Sequence, residues 1–225
     1  MVRSGTAIQE VLLHDGWLSR LPNQFQADVL ELGRLQTFAP SEAVYRIGDR
    51  GGGVYGLVSG TLSISLAPSH AAPRFVLFGI VGAWAGEGPF FTGEPRRAEM
   101  RAVTSCQLFH LSLEAMERLT TLDPRAARYF AQMTIAHFDV LARIIDDLLI
   151  PKASQRIASV LHRAGWLQAR VVPISQTDLG AMANASRKQV NAALAHFSAQ
   201  KWVTVGYRRI EIVDPSALLR FASGI

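Results

Sequence analysis

The segment from Pro173 to Phe197 constrains the fold most, because it predicts two short helices joined by a tight turn. Ser175 and Ser186 are suitable N-cap residues, whose side-chain oxygens can accept otherwise unpaired N–H groups of a first helical turn. Asn184 tolerates the left-handed backbone that a tight turn requires. The pattern is typical of a helix-turn-helix, in which the second helix enters the DNA major groove.

The second of these helices has two different faces. Its apolar stripe comprises Val190, Ala193, Leu194 and Phe197, and its polar face comprises Arg187, Lys188, Gln189 and Asn191. Such a helix packs its apolar stripe against a core and leaves the polar face in solvent. A basic face suits a nucleic acid, but an ordinary surface helix pair would show the same pattern. The rest of the chain has to decide between the two interpretations.

The positive charge of the chain is concentrated in its C-terminal third. The net charge is +5, and ten Lys and Arg residues but only three acidic residues lie from Lys152 onward. The preceding residues hold thirteen Arg and fifteen acidic residues. A basic module attached to a nearly neutral one indicates a partner with phosphates, which favours DNA binding. The basic part lacks a strongly apolar-faced helix of the kind that inserts into a membrane surface.

The composition excludes several classes of protein. The chain is 49% hydrophobic, but no apolar run is long enough to span a bilayer, and its start lacks the features of a signal peptide. We therefore expect a cytoplasmic protein. The single cysteine, Cys106, cannot form an internal disulfide or supply a zinc site or iron–sulfur cluster. We expect it to be a buried, inert thiol, with a redox sensor as the alternative, and the six histidines show no metal-ligand spacing.

Short strands separated by turn residues are predicted from Leu35 to Leu111. Leu62, Ile64 and Leu66 alternate with polar residues, as a half-buried strand requires. Further strands are expected from Arg74 to Val81 and from Ala98 to Leu111. Many short strands with regular turns indicate a closed or double-sheet β architecture.

A long helix is predicted from about Pro124 to Leu149, ending before Pro151. Two apolar stripes run along it. The first has heptad-type spacing, which suits pairing with the same helix of a second subunit, and comprises Phe130, Thr134, His137, Leu141, Ile144 and Leu148. The second, which we expect to pack on the β domain, comprises Ala131, Ile135, Phe138, Ala142 and Ile145. Two stripes on one helix favour a homodimer. We expect His137 to be a packed polar residue of the seam rather than a pH sensor, which is the alternative.

A basic hairpin is predicted after the helix-turn-helix. Two β-rich runs flank Gly206–Arg209, and the tip of this hairpin, or wing, can reach a phosphate backbone beside the second helix.

The order of these parts resembles the bacterial CRP/FNR family of transcription regulators, also called the catabolite activator protein family. In the β-rich part the resemblance rests on Gly48-Asp49, Tyr55–Leu62, Gly86-Glu87 and Arg96–Ala102. In the C-terminal part it rests on Gln155–Ala158, Leu179-Gly180, Ser186-Arg187, Val190 and Lys201–Val203. It implies an α+β chain with an N-terminal β-roll, that is, a double-stranded β-helix like a cyclic-nucleotide-binding domain. A long dimerisation helix and a C-terminal winged helix-turn-helix would follow. The implied domains are 1–123 for effector sensing, 124–150 for dimerisation and 151–225 for DNA binding.

The resemblance also implies an effector site in the β-roll. Cyclic-nucleotide members hold the ribose with a Gly-Glu pair and the cyclic phosphate with Arg-Ser-Ala, which correspond to Gly86, Glu87, Arg96, Arg97 and Ala98. The adenine-contacting Thr-Ser of the long helix corresponds to Val140 and Leu141, which cannot donate or accept. Three departures from the family pattern stand out. Arg97 takes the place of the Ser, the residues after Glu87 are Gly88 and Pro89, and the loop between Glu87 and Arg96 is one residue short. We therefore expect an effector other than cAMP, or none. A cyclic nucleotide stays a candidate effector, and no metal or iron–sulfur cluster is expected. The alternative to an effector site is a solvated loop, on which Arg96 and Arg97 pair with Glu87, Glu94 or Glu99.

The DNA-binding residues implied by the same resemblance are Ser175, Gln176, Ser186, Arg187, Lys188, Gln189, Asn191 and Arg208. Arg187 is expected to bind a guanine with two hydrogen bonds, and Gln189 and Asn191 to read an adenine or contact phosphate. Lys188 stands where many members carry Glu, so the operator should differ from the common half-site. Ser175, Gln176 and Arg208 are expected to contact the DNA backbone.

The function predicted is that of a homodimeric regulator that binds a near-palindromic operator on double-stranded DNA, with RNA polymerase as a further partner class. An effector-independent regulator of the same family is one alternative. A ligand-binding signalling module that acts on a partner protein is another. No nucleophile–base pair is recognisable, so an enzyme is not expected.

Overall fold

In the computed structural model, which describes residues 2–14, 16–67, 72–165 and 170–224, the chain forms two units. The first comprises Met1–Pro73 and Gly79–Asp139, and the second comprises Arg74–Phe78 and Val140–Ile225. The helices are α1 (Val2–His14), α2 (Asn23–Leu32), α3 (Gly88–Thr92), α4 (Leu113–Leu122), α5 (Arg125–Leu149), α6 (Ala153–Ala164), α7 (Gln176–Met182), α8 (Arg187–Ala199) and α9 (Pro215–Ser223). A short 3-10 turn covers Leu18–Arg20.

The strands carry the β architecture predicted for the N-terminal part and the wing predicted near the C-terminus. They are β1 (Arg34–Phe38), β2 (Ala43–Tyr45), β3 (Val54–Ser59), β4 (Leu62–Leu66), β5 (Arg74–Gly79), β6 (Trp84–Ala85), β7 (Ala98–Ala102), β8 (Cys106–Leu111), β9 (Val171–Val172), β10 (Val203–Gly206) and β11 (Arg209–Ile212).

Two antiparallel sheets form the body of the first unit. One has the strand order β1-β8-β3-β6, and in the other β2, β7 and β4 lie side by side. Their inner faces share one apolar core, to which β1 and β8 contribute Phe38 and Leu108 while β2 and β7 contribute Tyr45 and Met100. This double-sheet arrangement confirms the predicted β-roll. Cys106 lies in the same core with a fully buried thiol, as expected, and burial raises its pKa above the usual value.

Helices cover one side of this roll, and their core is aromatic. Trp17 stacks on Phe130 with ring centroids 5.7 Å apart, and its indole N–H donates to the carbonyl of Tyr129 at 2.6 Å. Phe130 is fully buried in this cluster together with Met133, one helical turn along α5. The start of α5 is therefore part of the core of the first unit.

The two stripes of α5 are used differently from the prediction. Ile135, Phe138 and Ile145, which were expected to pack on the β domain, are 63%, 66% and 59% exposed. Phe130 and Ile144, which were assigned to the pairing seam, are buried. Leu141 and Leu148 of the same seam are 37% and 39% exposed, so the seam assignment is wrong for Phe130 and Ile144 and stays a prediction for Leu141 and Leu148. Both stripes repeat at spacings of three and four. The repeat identifies two faces of the helix, but it does not say which face meets the chain's own core.

The second unit combines helices with a small antiparallel sheet of order β10-β11-β9. Its core includes Leu161 of α6, Leu179 of α7 and Phe197 of α8, all fully buried. The hairpin of β10 and β11 turns through Tyr207 and Arg208, and Arg208 has a positive φ of 51°. This is the predicted wing. Within the described residues, none of the helices has the length and apolar character that crossing a bilayer requires.

Candidate DNA-binding surface and effector site

Side-chain caps define the start of both helices of the helix-turn-helix. Ser175 Oγ accepts the N–H of Asp178 at 3.1 Å before α7. Before α8, Ser186 Oγ accepts the N–H of Gln189 at 3.3 Å, and Gln189 Oε1 accepts the N–H of Ser186 at 2.8 Å. This reciprocal pair is a capping box, which satisfies two N–H groups at once. Both predicted N-caps are confirmed.

The turn between the helices is tight enough to bring their backbones together. Asn184 adopts the predicted left-handed backbone, with φ of 44°. The N–H of Ala185 donates to the carbonyl of Gly180 at 2.8 Å, and a Cβ at Gly180 would lie only 2.8 Å from the carbonyl oxygen of Ala185. Only glycine permits this approach without a shift of backbone, so the sequence Leu179-Gly180 has a packing reason.

The polar face of α8 is exposed as predicted. Arg187, Lys188 and Asn191 all lie in solvent, while Val190 on the opposite face is fully buried. Gln189 is also exposed, but its Oε1 accepts the capping hydrogen bond. Reading an adenine takes both the oxygen and the nitrogen of an amide. The structure therefore leaves Gln189 with its NH₂ group as a donor, which suits a phosphate oxygen.

A cleft of about 340 Å³ connects the first residues of α7 and α8 with the wing. Its walls are formed by Ile174, Ser175, Gln176, Thr177, Arg187, Val205, Gly206, Tyr207, Arg208, Arg209 and Ile210. The cleft brings together four of the predicted DNA-contacting residues, namely Ser175, Gln176, Arg187 and Arg208. Thr177, Tyr207 and Arg209 also line it and were not singled out from the sequence. Tyr207 is 91% exposed at the tip of the wing, and such an unusually exposed aromatic side chain is the signal that could have identified it.

Arg96 of the predicted effector site is buried inside the first unit. Its Nη1 donates to the carbonyl of Gly86 at 2.6 Å and its Nη2 to the carbonyl of Gly53 at 2.8 Å. The guanidinium lies 4.2 Å from the ring centroid of Tyr45, a cation–π distance. Its Nε is buried and has no partner among the described residues. The alternative of a solvated ion pair is therefore wrong for Arg96.

Arg97 points to solvent and pairs with the exposed carboxylate of Glu94. The solvated-loop alternative is thus right for Arg97, and its exposure does not suit a role inside the roll. Ala98 lies at the start of β7, where it pairs with Leu66 of β4. Val140 and Leu141 belong to the second unit, and Leu141 is exposed.

Glu87 is buried and is already bound within the chain. Its Oε1 accepts from Thr134 Oγ1 at 3.1 Å and from His137 Nδ1 at 3.0 Å, and its Oε2 accepts from the N–H of Gly86 at 3.2 Å. Burial alone would raise the pKa of Glu87, but the hydrogen bond and charge of His137 bring it below the ordinary value. Glu87 and Arg96 do not pair with each other in this arrangement.

His137 has an acceptor at each ring nitrogen. Nδ1 faces Glu87, and Nε2 lies 3.0 Å from the carbonyl oxygen of Trp84. A neutral imidazole has one N–H, so only the protonated ring satisfies both acceptors. Burial lowers the pKa of His137, but the contact with Glu87 outweighs it and the pKa is raised. Thr134 and His137 were assigned to a pairing seam, so sequence reasoning missed their place beside Glu87.

The described residues contain no group of three or more His, Cys, Asp or Glu side chains that could hold a metal ion.

Comparisons with known proteins place both units in a known context. Residues 35–122 match the family model of the cyclic nucleotide-binding domain, and residues 155–221 match that of the Crp-like helix-turn-helix domain. The chain is 27% identical over 188 residues to the HTH-type transcriptional regulator Cmr of Mycobacterium tuberculosis. The matched region covers 82% of this chain and 75% of that protein.

Solved structures support the same fold. FixK2 from Bradyrhizobium japonicum is similar with a TM-score of 0.70 at 18% identity, covering 84% of this chain and 96% of that one. CLP from Xanthomonas campestris, described as a c-di-GMP-responsive global regulator, is similar with a TM-score of 0.66 at 20% identity, covering 85% of this chain and 99% of that one.

Proposed function

Because this chain belongs to the CRP/FNR family of transcription regulators, with a cyclic-nucleotide-binding domain and a helix-turn-helix, we propose that it binds a near-palindromic operator as a homodimer. The family consists of regulators rather than enzymes, so the function lies in DNA binding and its control. As part of this proposal, the protein works on DNA in the cytoplasm, with RNA polymerase as a partner. The observation that carries the proposal is the exposed basic start of α8 beside the wing.

The DNA-binding half of the proposal rests on the cleft formed by α7, α8 and the wing. Arg187 and Arg208 contribute positive charge to its walls, and Arg209 adds a third guanidinium. In a helix-turn-helix the first residues of the second helix contact base edges, and a basic wing can contact phosphates beside it. Arg187, the first residue of α8, is exposed and free of the capping box, so it is the residue best placed to read a guanine.

The homodimer is supported by the exposed stripe of α5. Ile135, Phe138, Ala142, Ile145 and Leu149 are exposed and follow one another at spacings of three and four residues. A face of this width is unfavourable in water, and its heptad spacing matches a second copy of the same helix. The proposed pairing face therefore consists of the exposed residues of the second stripe together with Leu149. Leu141 and Leu148 of the first stripe are also exposed, lie about one helical turn from Ile145 and extend this face.

Selection from a pool of random duplexes, followed by electrophoretic mobility shift, tests this function. We expect the selected sequences to contain two inverted half-sites with centres about 34 Å apart, one for each recognition helix. Light scattering should give the mass of a dimer. Equal affinity for the selected duplexes and for random DNA would contradict the proposal, and so would a monomeric mass at micromolar concentration.

We further propose that cAMP does not control this protein. In cyclic-nucleotide members the residue at the place of Glu87 holds the ribose hydroxyl, whereas here both of its oxygens have donors within the chain. Arg96 suits an anion better, since its buried Nε has no partner among the described residues. Because the carboxylate of Glu87 already has donors from Gly86, Thr134 and His137, the site also supports the alternative of a regulator that needs no effector.

The effector proposal is tested by measuring operator affinity with and without saturating nucleotide. We expect cAMP to change the affinity by less than about twofold, because a ligand without differential binding cannot shift an equilibrium. Parallel titrations with cGMP, c-di-GMP and inorganic phosphate would distinguish another anionic effector from none. A tenfold gain with cAMP alone, on the order of 1.4 kcal/mol of coupling, would contradict the proposal.

A further inference from the structure

Arg156, in the first turn of α6, connects two distant parts of the second unit through main-chain carbonyls. Its Nη1 donates to the carbonyls of Ile150 and Pro151 at 2.7 and 3.0 Å. Its Nε and Nη2 donate to the carbonyls of Ala183 and Asn184 at 2.8 and 2.9 Å. Ile150 follows the last residue of α5, and Ala183 is the C-cap of α7. A single half-buried side chain therefore bridges the ends of two helices.

The chemistry of the guanidinium explains why this position suits arginine. The carbonyls at a helix C-terminus lack intrahelical partners and carry partial negative charge. Arginine presents five N–H donors in a rigid plane, and four hydrogen bonds leave from it in two directions here. A lysine ammonium is a compact point charge on a flexible stem, so it can satisfy one helix end but not span both.

The bridge ends at the turn that leads into the recognition helix. Asn184 is the residue with left-handed backbone, and Ser186, two residues further on, is the N-cap of α8. The orientation of α8 relative to the C-terminal part of α5 is thus determined at the place where Arg156 binds. The stripe of α5 that is proposed to pair with a second copy continues into this same part, with Ile145 and Leu149.

A second connection between α5 and α6 does not involve Arg156. Asp147, near the end of α5, accepts a hydrogen bond from Ser159 and pairs with Arg163, both on α6. These contacts attach α6 to α5 but do not reach the turn at Asn184. Loss of the Arg156 bridge should therefore leave the helices of the second unit assembled while freeing the turn.

We propose that Arg156 is a positioning residue that transmits the orientation of the dimerisation helix to the recognition helix, and so determines the half-site spacing that the dimer accepts. The inference rests on the proposed function, since spacing has meaning only for a dimer on a two-part operator. Arg156 itself need not touch DNA, because all of its described hydrogen bonds go to the chain's own carbonyls.

The test compares wild-type protein with Arg156→Lys and Arg156→Gln on three synthetic duplexes. These carry the half-sites selected by the wild-type protein at the selected spacing, at a spacing one base pair longer, and as one half-site alone. One base pair moves a half-site by about 3.4 Å. Arg220→Lys, which changes an exposed arginine of α9, is the matched control. Circular dichroism and light scattering report whether each variant is folded and dimeric.

The wild-type protein and Arg220→Lys should prefer the selected spacing about tenfold or more, since misplaced sites cannot both be engaged. Both Arg156 variants should bind the single half-site within about threefold of wild type and lose most of the spacing preference. Unchanged spacing preference, or an equal loss on all three duplexes, would show that Arg156 only supports the fold and would overturn the inference. If the wild-type protein selects no two-part site, the proposed function fails, and this inference fails with it.

Discussion

The carboxylate of Glu87 and the imidazole of His137 lie 3.0 Å apart although fifty positions separate them along the chain. Glu87 precedes α3 and His137 lies on α5, so the pair joins a loop of the β-roll to the long helix within the first unit. The second ring nitrogen of His137 faces the carbonyl of Trp84. The contact makes the attachment of the helix sensitive to the protonation of one histidine.

The first prediction concerns the pH dependence of stability. The pKa of His137 is raised, so its stabilising contribution is fully present below the ordinary histidine pKa and is lost as the pH rises through the raised value. The pKa of Glu87 is lowered, so its contribution is present above the ordinary carboxyl pKa and is lost as the pH falls through the lowered value. The pair therefore stabilises most in the mildly acidic range between the two ordinary values.

Urea unfolding of wild-type protein and His137→Gln at pH 6 and pH 9 measures this effect. The wild-type protein should lose more free energy of unfolding between the two conditions than the variant, because the variant has no imidazolium to titrate. NMR titration of His137 in Glu87→Gln should give a pKa lower than in wild type. Identical pH dependence of wild type and His137→Gln would show that the contact does not form as described.

The second prediction concerns the pairing face of α5. Phe138→Asp should convert the dimer to a monomer, since it would bury an unpaired charge at the centre of the exposed stripe. Ala136→Asp is the matched control, because Ala136 is exposed on the same helix but lies away from the stripe. Light scattering distinguishes the two masses. If Phe138→Asp stays dimeric while Ala136→Asp becomes monomeric, the proposed pairing face is the wrong face of the helix.

Local signals made much of the C-terminal unit predictable. The two caps bond N–H groups only three residues further on, Ser175 at α7 and Ser186 at α8, and Asn184 adopts the turn conformation by itself. The caps and the turn could therefore be derived from neighbouring positions alone. The wing at Tyr207 and Arg208 could be derived in the same way from two β-rich runs around a turn. Each of these elements has its cause in its own segment of the sequence.

The rest depends on contacts between distant segments. Both stripes of α5 have the same spacing, and only the packing of Phe130 against Trp17 shows which face is covered. The burial of Arg96 depends on Tyr45 and on the carbonyls of Gly53 and Gly86, which three separate loops and strands supply. The resemblance pointed to Glu87 and Arg96 but could not show that Glu87 binds His137 rather than solvent or ligand.

The third prediction separates base reading from backbone contact. Arg187→Ala should cost about 1–3 kcal/mol on the selected operator and much less on random DNA. Arg208→Ala should weaken binding uniformly across sequences and reduce the slope of log affinity against log salt by about 1. Fluorescence anisotropy at several salt concentrations measures both quantities. Equal losses on operator and random DNA for Arg187→Ala would remove its base-reading role.

The last prediction follows from the two roles of Gln189, whose Oε1 accepts the capping hydrogen bond while its NH₂ group faces solvent. Gln189→Glu keeps the capping acceptor and adds a negative charge that the helix N-terminus favours, so the melting temperature should stay the same or rise. The same change removes the donor and brings a negative charge to DNA phosphates, so affinity should fall on operator and random DNA alike. Gln189→Ala removes only the side-chain half of the capping box, since the N–H of residue 189 still donates to Ser186 Oγ, so its melting temperature should lie below that of Gln189→Glu. If Gln189→Glu instead loses affinity only on the operator, Gln189 reads a base, and the capping arrangement must open when DNA binds.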